Sequence, residues 1–164
     1  MNACSSPENA YAVRDAKRHR IKLGVLLCLF REHEILMIRR HQTGIDDGAY
    51  TVPIGTQEGN ETALEALARE AQEEVGIVPD LDSAELIHTM LRKHTMPDGY
   101  SFEQLDLFFK VTHFQGKIHN AEPHKCDAVG FFALNHLPPE TTPFVRHALE
   151  AWQHGINYTE FGFH

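Results

Sequence analysis

The sequence predicts an α+β fold, a mixed β-sheet flanked by helices in an α/β/α layer arrangement. Three observations support this prediction. Two apolar runs with a polar break indicate a hairpin at residues 21–40, an amphipathic segment indicates a helix at 62–76, and several β-rich segments precede a closing helix at 142–155. Elements in this order bury their apolar faces by packing as layers.

The chain is long enough for one domain with its own core. It has 164 residues, and no internal repeat or Pro-, Gly- or Ser-rich linker divides it. We expect residues 1–19 to form a loosely held arm or a short helix, and residues 20–164 to form a single domain.

The first two predicted strands form the hairpin. The apolar run at residues 21–30 is typical of a buried strand, and polar residues 31–34 separate it from a second strand at 35–40. A loop rich in Gly and Asp follows, and Val52 is expected to be extended because it precedes Pro53.

The next element is a helix with signals at both ends. Thr62 and Glu65 fit a capping box, in which a hydroxyl and a carboxylate bond free backbone amides. Gly76 is placed to end the helix in a left-handed turn, and Pro79 prevents its continuation. The predicted buried stripe consists of Leu64, Leu67, Ala68, Ala71 and Val75.

The second half of the chain predicts three strands and the closing helix. The strands are expected at residues 84–94, 104–114 and 128–134, with a turn or loop at 96–101. In the closing helix Thr142 can cap the first turn, Pro143 suits that turn, and Gly155 suits the exit.

Composition excludes several classes of protein. The net charge of −8 is unlike that of a generic nucleic-acid binder, and no apolar run reaches membrane-spanning length. The cysteines, Cys4, Cys28 and Cys126, are too widely spaced for a disulfide framework, and the polar N-terminus lacks the apolar centre of a secretion signal. We therefore expect a cytoplasmic protein with no membrane partner. A small anionic substrate remains compatible if a cation mediates its binding.

Three glutamates of the predicted helix share one edge. At about 100° per residue, Glu70, Glu73 and Glu74 fall within an arc of roughly 100° beside the apolar stripe. Oxygen ligands clustered without His or Cys suit Mg²⁺ or Mn²⁺ better than Zn²⁺. Charged runs on helices are also common as solvated surfaces, so this spacing leaves both interpretations open.

The spacing of the whole segment distinguishes these interpretations. Five residues separate Gly55 from Glu61, and seven separate Glu61 from the run REAQEEVGI, which begins at Arg69. This segment resembles the Nudix box of the Nudix hydrolase family, G-x5-E-x7-R-E-U-x-E-E-x-G-U, where U is aliphatic. Every fixed position matches, and the one departure is Ala71 at an aliphatic position. The resemblance implies the α/β/α sandwich of that family.

The resemblance further implies a metal site that hydrolyses a diphosphate linkage with Mg²⁺ or Mn²⁺. By position, Glu73 and Glu74 would bind the metal, and Glu70 would be a further ligand or the general base that activates water. Arg69 would orient the neighbouring glutamate, and the backbone near Gly55 would add a carbonyl ligand. Glu61 and Gly76 would support the box structurally.

Residues outside the box are candidates on weaker grounds. Glu122 is a candidate further ligand or base, since family members often recruit an acidic residue from another loop. Arg39 and Arg40 leave the second strand toward the box, where one of them could contact phosphate. Of the twelve histidines, His41 and His94 are expected closest to a site. The aromatic side chains that could stack on a base are Tyr100, Phe102, Phe144 and Trp152, and the residues that could suggest zinc, although in no standard zinc spacing, are His119, His124 and Cys126.

The predicted function is hydrolysis of a nucleoside diphosphate linked to another group. A nucleoside triphosphate, in normal or oxidised form, is the favoured substrate, cleaved to a monophosphate and pyrophosphate in the manner of MutT-like enzymes. ADP-ribose, nucleotide sugars, dinucleoside polyphosphates and non-nucleotide diphosphates remain alternatives, as does a non-catalytic nucleotide-binding module. A homodimer is compatible with the sequence.

Overall fold

The computed structural model describes residues 7–163, which form an α+β architecture. The helices are Pro7–Asp15 (α1), Ala63–Val75 (α2) and Pro143–Gln153 (α3), with a short 3-10 turn at Leu81–Ser83. The strands, in chain order, are Lys22–Arg31 (β1), Glu34–Arg40 (β2), Tyr50–Thr51 (β3), Ile54–Thr56 (β4), Ile77–Pro79 (β5), Glu85–Thr95 (β6), Ser101–Val111 (β7), Phe114–Gly116 (β8), Cys126–Ala133 (β9) and Tyr158–Phe161 (β10).

One mixed sheet holds eight of these strands, in the order β10-β6-β7-β1-β2-β3, with β4 paired to β1 and β9 paired to β2. The pairs β1–β7 and β6–β10 are parallel, whereas β6–β7, β1–β4 and β2–β9 are antiparallel. A separate small sheet pairs β5 with β8. The predicted mixed sheet flanked by helices is confirmed.

Strand β1 is covered on both faces. Successive side chains of a strand point to opposite sides, so Val25 and Leu27 pack in the core under α2, whereas Leu26 and Cys28 pack in the core under α3. Residues 25–29 are at most 1% exposed. This two-sided burial explains why the apolar run shows no polar alternation.

Helix α2 begins and ends where the sequence predicts. The Thr62 side chain accepts a hydrogen bond from the backbone N–H of Glu65, and the Glu65 carboxylate accepts one from the Thr62 N–H, which completes the capping box. Gly76 ends the helix with φ of 71°. Within the predicted stripe, Leu67, Ala71 and Val75 are buried and Leu64 and Ala68 are partly buried; Ala66 is also buried but was not predicted.

Helix α3 departs from the prediction at the N-cap residue that precedes it. Pro143 occupies the first turn and Gly155 follows the helix with φ of 73°, as expected. Thr142 is at the N-cap position, but its side chain makes no capping hydrogen bond, so the predicted cap is wrong. The reason is tertiary, because Thr142 is held by a backbone hydrogen bond from its N–H to the Tyr50 carbonyl at 2.8 Å and is buried beside β3.

The sequence did not predict the short strands β5, β8 and β10. Each has four residues or fewer, so none carries a periodic pattern long enough to detect. Residues 1–6 and Cys4 lie outside the described part, while Pro7–Asp15 of the predicted arm form α1. Among the described residues, no helix is both long and apolar enough to span a membrane.

Candidate active site

The carboxylates of α2 face the strand that precedes it. The backbone N–H of Ile54 donates to Oε2 of Glu74 at 2.8 Å. The Glu70 carboxyl group lies against the α-carbon of Gly55, where a β-carbon would overlap it. β4 is itself paired with β1, with Gly55 opposite Val25. The position of both carboxylates therefore depends on the packing of α2 against this sheet edge.

Arg69 links the start of the box to its end. Its Nε and Nη2 donate to both oxygens of Glu61 at 3.2 and 2.8 Å, and its Nη1 donates to Oε1 of Glu70 at 2.7 Å. Glu61 also accepts the backbone N–H of Glu58 at 2.7 Å. The paired guanidinium holds the pKa of Glu61 below its usual range. This arrangement ties the loop before α2 to the helix and orients Glu70.

A loop from the other half of the chain brings Glu122 to the same place. The N–H groups of His119 and Ala121 donate to the carbonyls of Val75 and Glu74 at 3.2 and 3.1 Å, so this loop caps the C-terminal end of α2. Glu122 then lies close enough for its charge to raise the pKa values of Glu70 and Glu74.

The electrostatics of this cluster fit a cation. Burial, followed by the charges of Glu70 and Glu122, raises the pKa of Glu74 to about 8 despite its backbone hydrogen bond. Burial is also the main cause of the raised pKa of Glu70. Clustered carboxylates are the oxygen donors that Mg²⁺ and Mn²⁺ prefer, and a cation beside them favours their charged forms.

The carboxylates at present have other partners. Glu70 is bound by Arg69, Glu74 by the Ile54 N–H, and Glu122 by the Lys125 ammonium group at 2.8 Å. As the side chains stand, no three His, Cys, Asp or Glu residues within 7–163 are positioned to hold a metal ion together. A cation at this site would have to replace some of these partners, most simply Lys125.

Glu73 lies at the rim of the cluster. Its side chain is 50% exposed, compared with 17% for Glu70, and its nearest cation is Arg69 at 3.7 Å. Glu73 lies about one helical turn after Glu70 and directly before Glu74, and its side chain is accessible from solvent.

A polar pocket of about 190 Å³ borders the cluster at Gly55. Arg40 lines it and is held by hydrogen bonds to the Ile45 carbonyl at 2.7 Å and the Thr43 hydroxyl at 3.0 Å. Arg39 does not line it and instead pairs with both oxygens of Asp127, and the register of β2 against β9 shifts between Arg39 and Arg40. Of the predicted pair, only Arg40 is thus placed beside the box.

The candidate aromatic, histidine and cysteine residues differ in whether they lie at the pocket. Phe102 and Phe144 line the pocket, whereas Trp152 packs on Phe30 and Tyr100 is 59% exposed. Nδ1 of His119 lies 2.8 Å from the Lys117 carbonyl, and the Cys126 thiol donates to the Ala128 carbonyl at 3.1 Å. Within residues 7–163, no group of three metal-binding side chains includes His119, His124 or Cys126. His41 lies 3.8 Å from Asp127, and His94 packs on Phe102.

Comparison with known proteins identifies the family. A profile described as the NUDIX domain matches residues 20–152. The chain belongs to the Nudix family. The family predicted from the residues 55–77 motif is therefore confirmed, and members of this family generally use divalent metals.

Two relatives of this Nudix protein have names that indicate chemistry. An ADP-ribose pyrophosphatase from Methanocaldococcus jannaschii is 28% identical over 129 residues, a match covering 76% of this chain and 72% of that protein. A crystal structure of a MutT NUDIX hydrolase from Burkholderia pseudomallei has a TM-score of 0.71 and 28% identity, covering 80% of this chain and 98% of that one. These comparisons confirm the enzyme class predicted from the sequence, a pyrophosphohydrolase.

More distant structures share the Nudix fold alone. A MutT protein from Bacillus halodurans superposes with a TM-score of 0.67 at 17% identity, covering 85% of this chain and 88% of that one. At this identity the likeness shows the fold alone.

A buried polar group in the wall of the pocket was not predicted from the sequence. Asp106 accepts hydrogen bonds from Nε of Arg92 and Nε2 of Gln104, each at 2.6 Å, and it is fully buried. A signal was available, because Asp106 interrupts the apolar run LDLFF of a predicted strand. A charged residue inside such a run needs a buried partner.

Proposed function

We propose that this Nudix protein hydrolyses a diphosphate linkage in a nucleoside diphosphate joined to another group, with Mg²⁺ or Mn²⁺ as its cofactor. The observation that supports this best is the convergence of Glu70, which lies against Gly55, with Glu74 and Glu122, because burial and the neighbouring carboxylate charges disfavour the charged forms of Glu70 and Glu74. A divalent cation removes that penalty and attracts an anionic substrate.

Glu70, Glu74 and Glu122 would hold the cation, with Glu73 completing the site from the rim and the backbone of Gly55 offering a carbonyl. Bound there, the cation supplies charge neutralisation and a more acidic water for attack on phosphorus. Glu70 also has the raised pKa and burial that suit a general base.

Arg69 and Glu61 would act on catalysis by position. Arg69 donates to Glu70 and Glu61 at once, so it fixes the Glu70 carboxylate relative to the loop. Arg40 lines the pocket, and its charge offsets part of the rise in the pKa of Glu74. A cation in this place suits contact with a substrate phosphate.

Nucleoside triphosphates, normal or oxidised, remain the substrates favoured by the sequence prediction. ADP-ribose is the second candidate, supported by the similarity to the Methanocaldococcus enzyme of that name. The small-molecule partner follows from either choice, while the cytoplasmic location and a homodimer stay predictions.

A substrate panel tests this proposal. Purified protein is incubated with each common nucleoside triphosphate, oxidised dGTP, ADP-ribose, a nucleotide sugar and a dinucleoside polyphosphate, with Mg²⁺ or Mn²⁺. Chromatography follows the release of a nucleoside monophosphate together with pyrophosphate, a sugar phosphate or a second nucleotide, according to the substrate. We expect one class to be cleaved and activity to vanish with chelator. Absence of turnover with both metals would favour the non-catalytic module instead.

The substitution Glu73→Gln tests the ligand set. We expect a loss in kcat of well over tenfold with an unchanged circular dichroism spectrum, because loss of a catalytic metal ligand should cost more than the ~1.4 kcal/mol of one decade. Glu58→Gln is the control, since Glu58 is exposed and occupies no fixed position of the motif. Activity within about tenfold of wild type would remove Glu73 from the site.

A further inference from the structure

Two buried hydroxyl groups in the pocket wall have no hydrogen-bond partner. Thr51 and Thr142 are each 1% exposed, and both line the pocket beside Gly55. Within residues 7–163, only three buried side-chain polar atoms lack a partner, and Oγ1 of these two threonines accounts for two of them. Unpaired buried polar atoms are rare in folded proteins and lower stability, so two in one pocket require an explanation.

The backbone holds both threonines in place. The Thr142 N–H donates to the Tyr50 carbonyl at 2.8 Å, and the Tyr50 N–H donates to the Glu140 carbonyl at 3.0 Å, which joins β3 to the segment before α3. Thr142 occupies an N-cap position, where a threonine hydroxyl ordinarily bonds a free helix amide, yet it makes no such bond. The Thr142 hydroxyl therefore has neither a helix amide nor any other group as its partner.

The adjoining wall is polar but internally neutralised. Asp106 pairs with Arg92 and also accepts from Gln104, so the Arg92 charge is balanced inside the wall. A carboxylate only accepts hydrogen bonds, so Gln104 must direct its NH₂ to Asp106, which leaves its carbonyl as the acceptor available to the pocket. A β-carbon at Gly24 would overlap the side chains of Gln104 and Asp106, so only glycine fits beside this pair.

Aromatic rings complete this wall. Phe144 lies 4.1 Å from the Arg92 guanidinium carbon, and Phe102 lies beneath the Lys22 ammonium at 4.2 Å. Hydroxyls, an amide carbonyl and ring surfaces are the contacts that a planar heterocycle with a polar edge would make. A volume of about 190 Å³ suits one such ring rather than a whole nucleotide.

We propose that Thr51 and Thr142 are specificity-determining residues, whose hydroxyls bond the polar edge of the substrate's base in this pocket. This inference rests on the proposed function for the identity of the substrate. The pocket meets the carboxylate cluster at Gly55, so a base held by the threonines would have its phosphates directed toward the cluster. A substrate without such an edge would leave both hydroxyls unpaired, which is a strong form of discrimination.

The substitutions Thr51→Val and Thr142→Val test the proposal, since each removes only the hydroxyl. We expect each to lower kcat/KM for the best substrate by about fivefold to tenfold, as for one lost hydrogen bond, and to raise the melting temperature. A merely structural threonine would not show that opposite pair of effects.

The matched control is Thr141→Val, because Thr141 is adjacent and buried but donates to the Pro138 carbonyl at 2.7 Å. It should lower the melting temperature and leave kcat/KM within about twofold of wild type, because a hydrogen bond is lost away from the pocket.

Binding without turnover separates this inference from the proposed function. Calorimetry measures the Kd of AMP, GMP and ribose phosphate with metal-free wild type and both valine variants. We expect AMP or GMP to bind wild type more tightly than ribose phosphate does, and each variant to lose about fivefold to tenfold of that preference. Equal weakening of all three probes, or no preference in wild type, would overturn the base assignment. The wild-type protein could also prefer AMP or GMP, lose that preference in the valine variants, and yet cleave no substrate. That result would support the base pocket and refute the proposed reaction.

Discussion

Among single residues, Gly55 determines where the Glu70 carboxylate can lie, because it has no side chain. Its backbone has no need of a left-handed conformation, unlike Gly76 with φ of 71°. Instead the Glu70 carboxyl group occupies the space of its β-carbon. The glycine of the motif therefore permits a close approach between α2 and β4, and this approach positions Glu70 beside the pocket.

The substitution Gly55→Ala should displace the Glu70 carboxylate. We expect kcat/KM to fall by about 100-fold, since a misplacement near 1 Å costs that much at a reacting centre. Gly59→Ala is the matched control, because a β-carbon at Gly59 would meet no atom within 4 Å and the φ of Gly59 is not positive. Enzyme assays and circular dichroism on both variants provide the measurement. Equal activities would show that Glu70 tolerates another position.

Among the elements, helix α2 carries the chemistry and its ends set its placement. The capping box fixes the first turn, and the Gly76 N–H bonds the Ala71 and Gln72 carbonyls at the last turn. The loop carrying Glu122 then binds the Val75 and Glu74 carbonyls. The last carbonyl groups of a helix have no partner within the helix, and here they bond the loop that carries Glu122. The same hydrogen bonds therefore end α2 and position Glu122.

The substitution Thr62→Ala should weaken the helix start. We expect the free energy of unfolding to fall by about 1 kcal/mol, the usual cost of losing a threonine cap. Urea denaturation measures it. The pair Thr62→Ala and Glu65→Ala should be non-additive, because each removes part of one reciprocal motif. Additive losses would show that the two hydrogen bonds act separately.

Across the molecule as a whole, contacts distant in sequence close the sheet. β1 is buried between two cores, and the last strand, β10, returns to pair with β6. His88 on β6 secures that strand through Nδ1 to the Ile156 carbonyl at 3.0 Å and Nε2 to the Thr159 hydroxyl at 2.8 Å. Burial, aided by the charge of His147 on α3, lowers the pKa of His88.

His88 should therefore make stability depend on pH. The unfolded chain takes up a proton as pH falls through the ordinary histidine value of about 6.5, whereas the folded chain resists until its lower pKa is reached. Stability is thus retained above about pH 6.5 and lost progressively below it. Urea denaturation at pH 7.5 and pH 5 should show a smaller difference for His88→Gln than for wild type. Exposed His33→Gln is the control, and an unchanged difference in His88→Gln would remove His88 from this role.

The family, the layer architecture and the ends of α2 could all be predicted from the order of residues alone. These features depend on local chemistry, such as the hydroxyl and carboxylate of the capping box, the left-handed glycine, and a motif whose spacing matches the helical repeat. The placement of Glu70, Glu73 and Glu74 along one helix edge could be predicted for the same reason.

Which of the candidate residues outside the motif lie beside that helix became evident only from the folded chain. Glu122 lies near the site because its loop bonds the end of α2, and Arg39 pairs with Asp127 while Arg40 lines the pocket. Thr142 makes no side-chain cap, and its backbone N–H bonds the Tyr50 carbonyl. The pocket wall of Arg92, Gln104 and Asp106 likewise depends on the pairing of β6 with β7. Such contacts join residues distant in sequence, and no local pattern specifies them, because their energy comes from packing between elements.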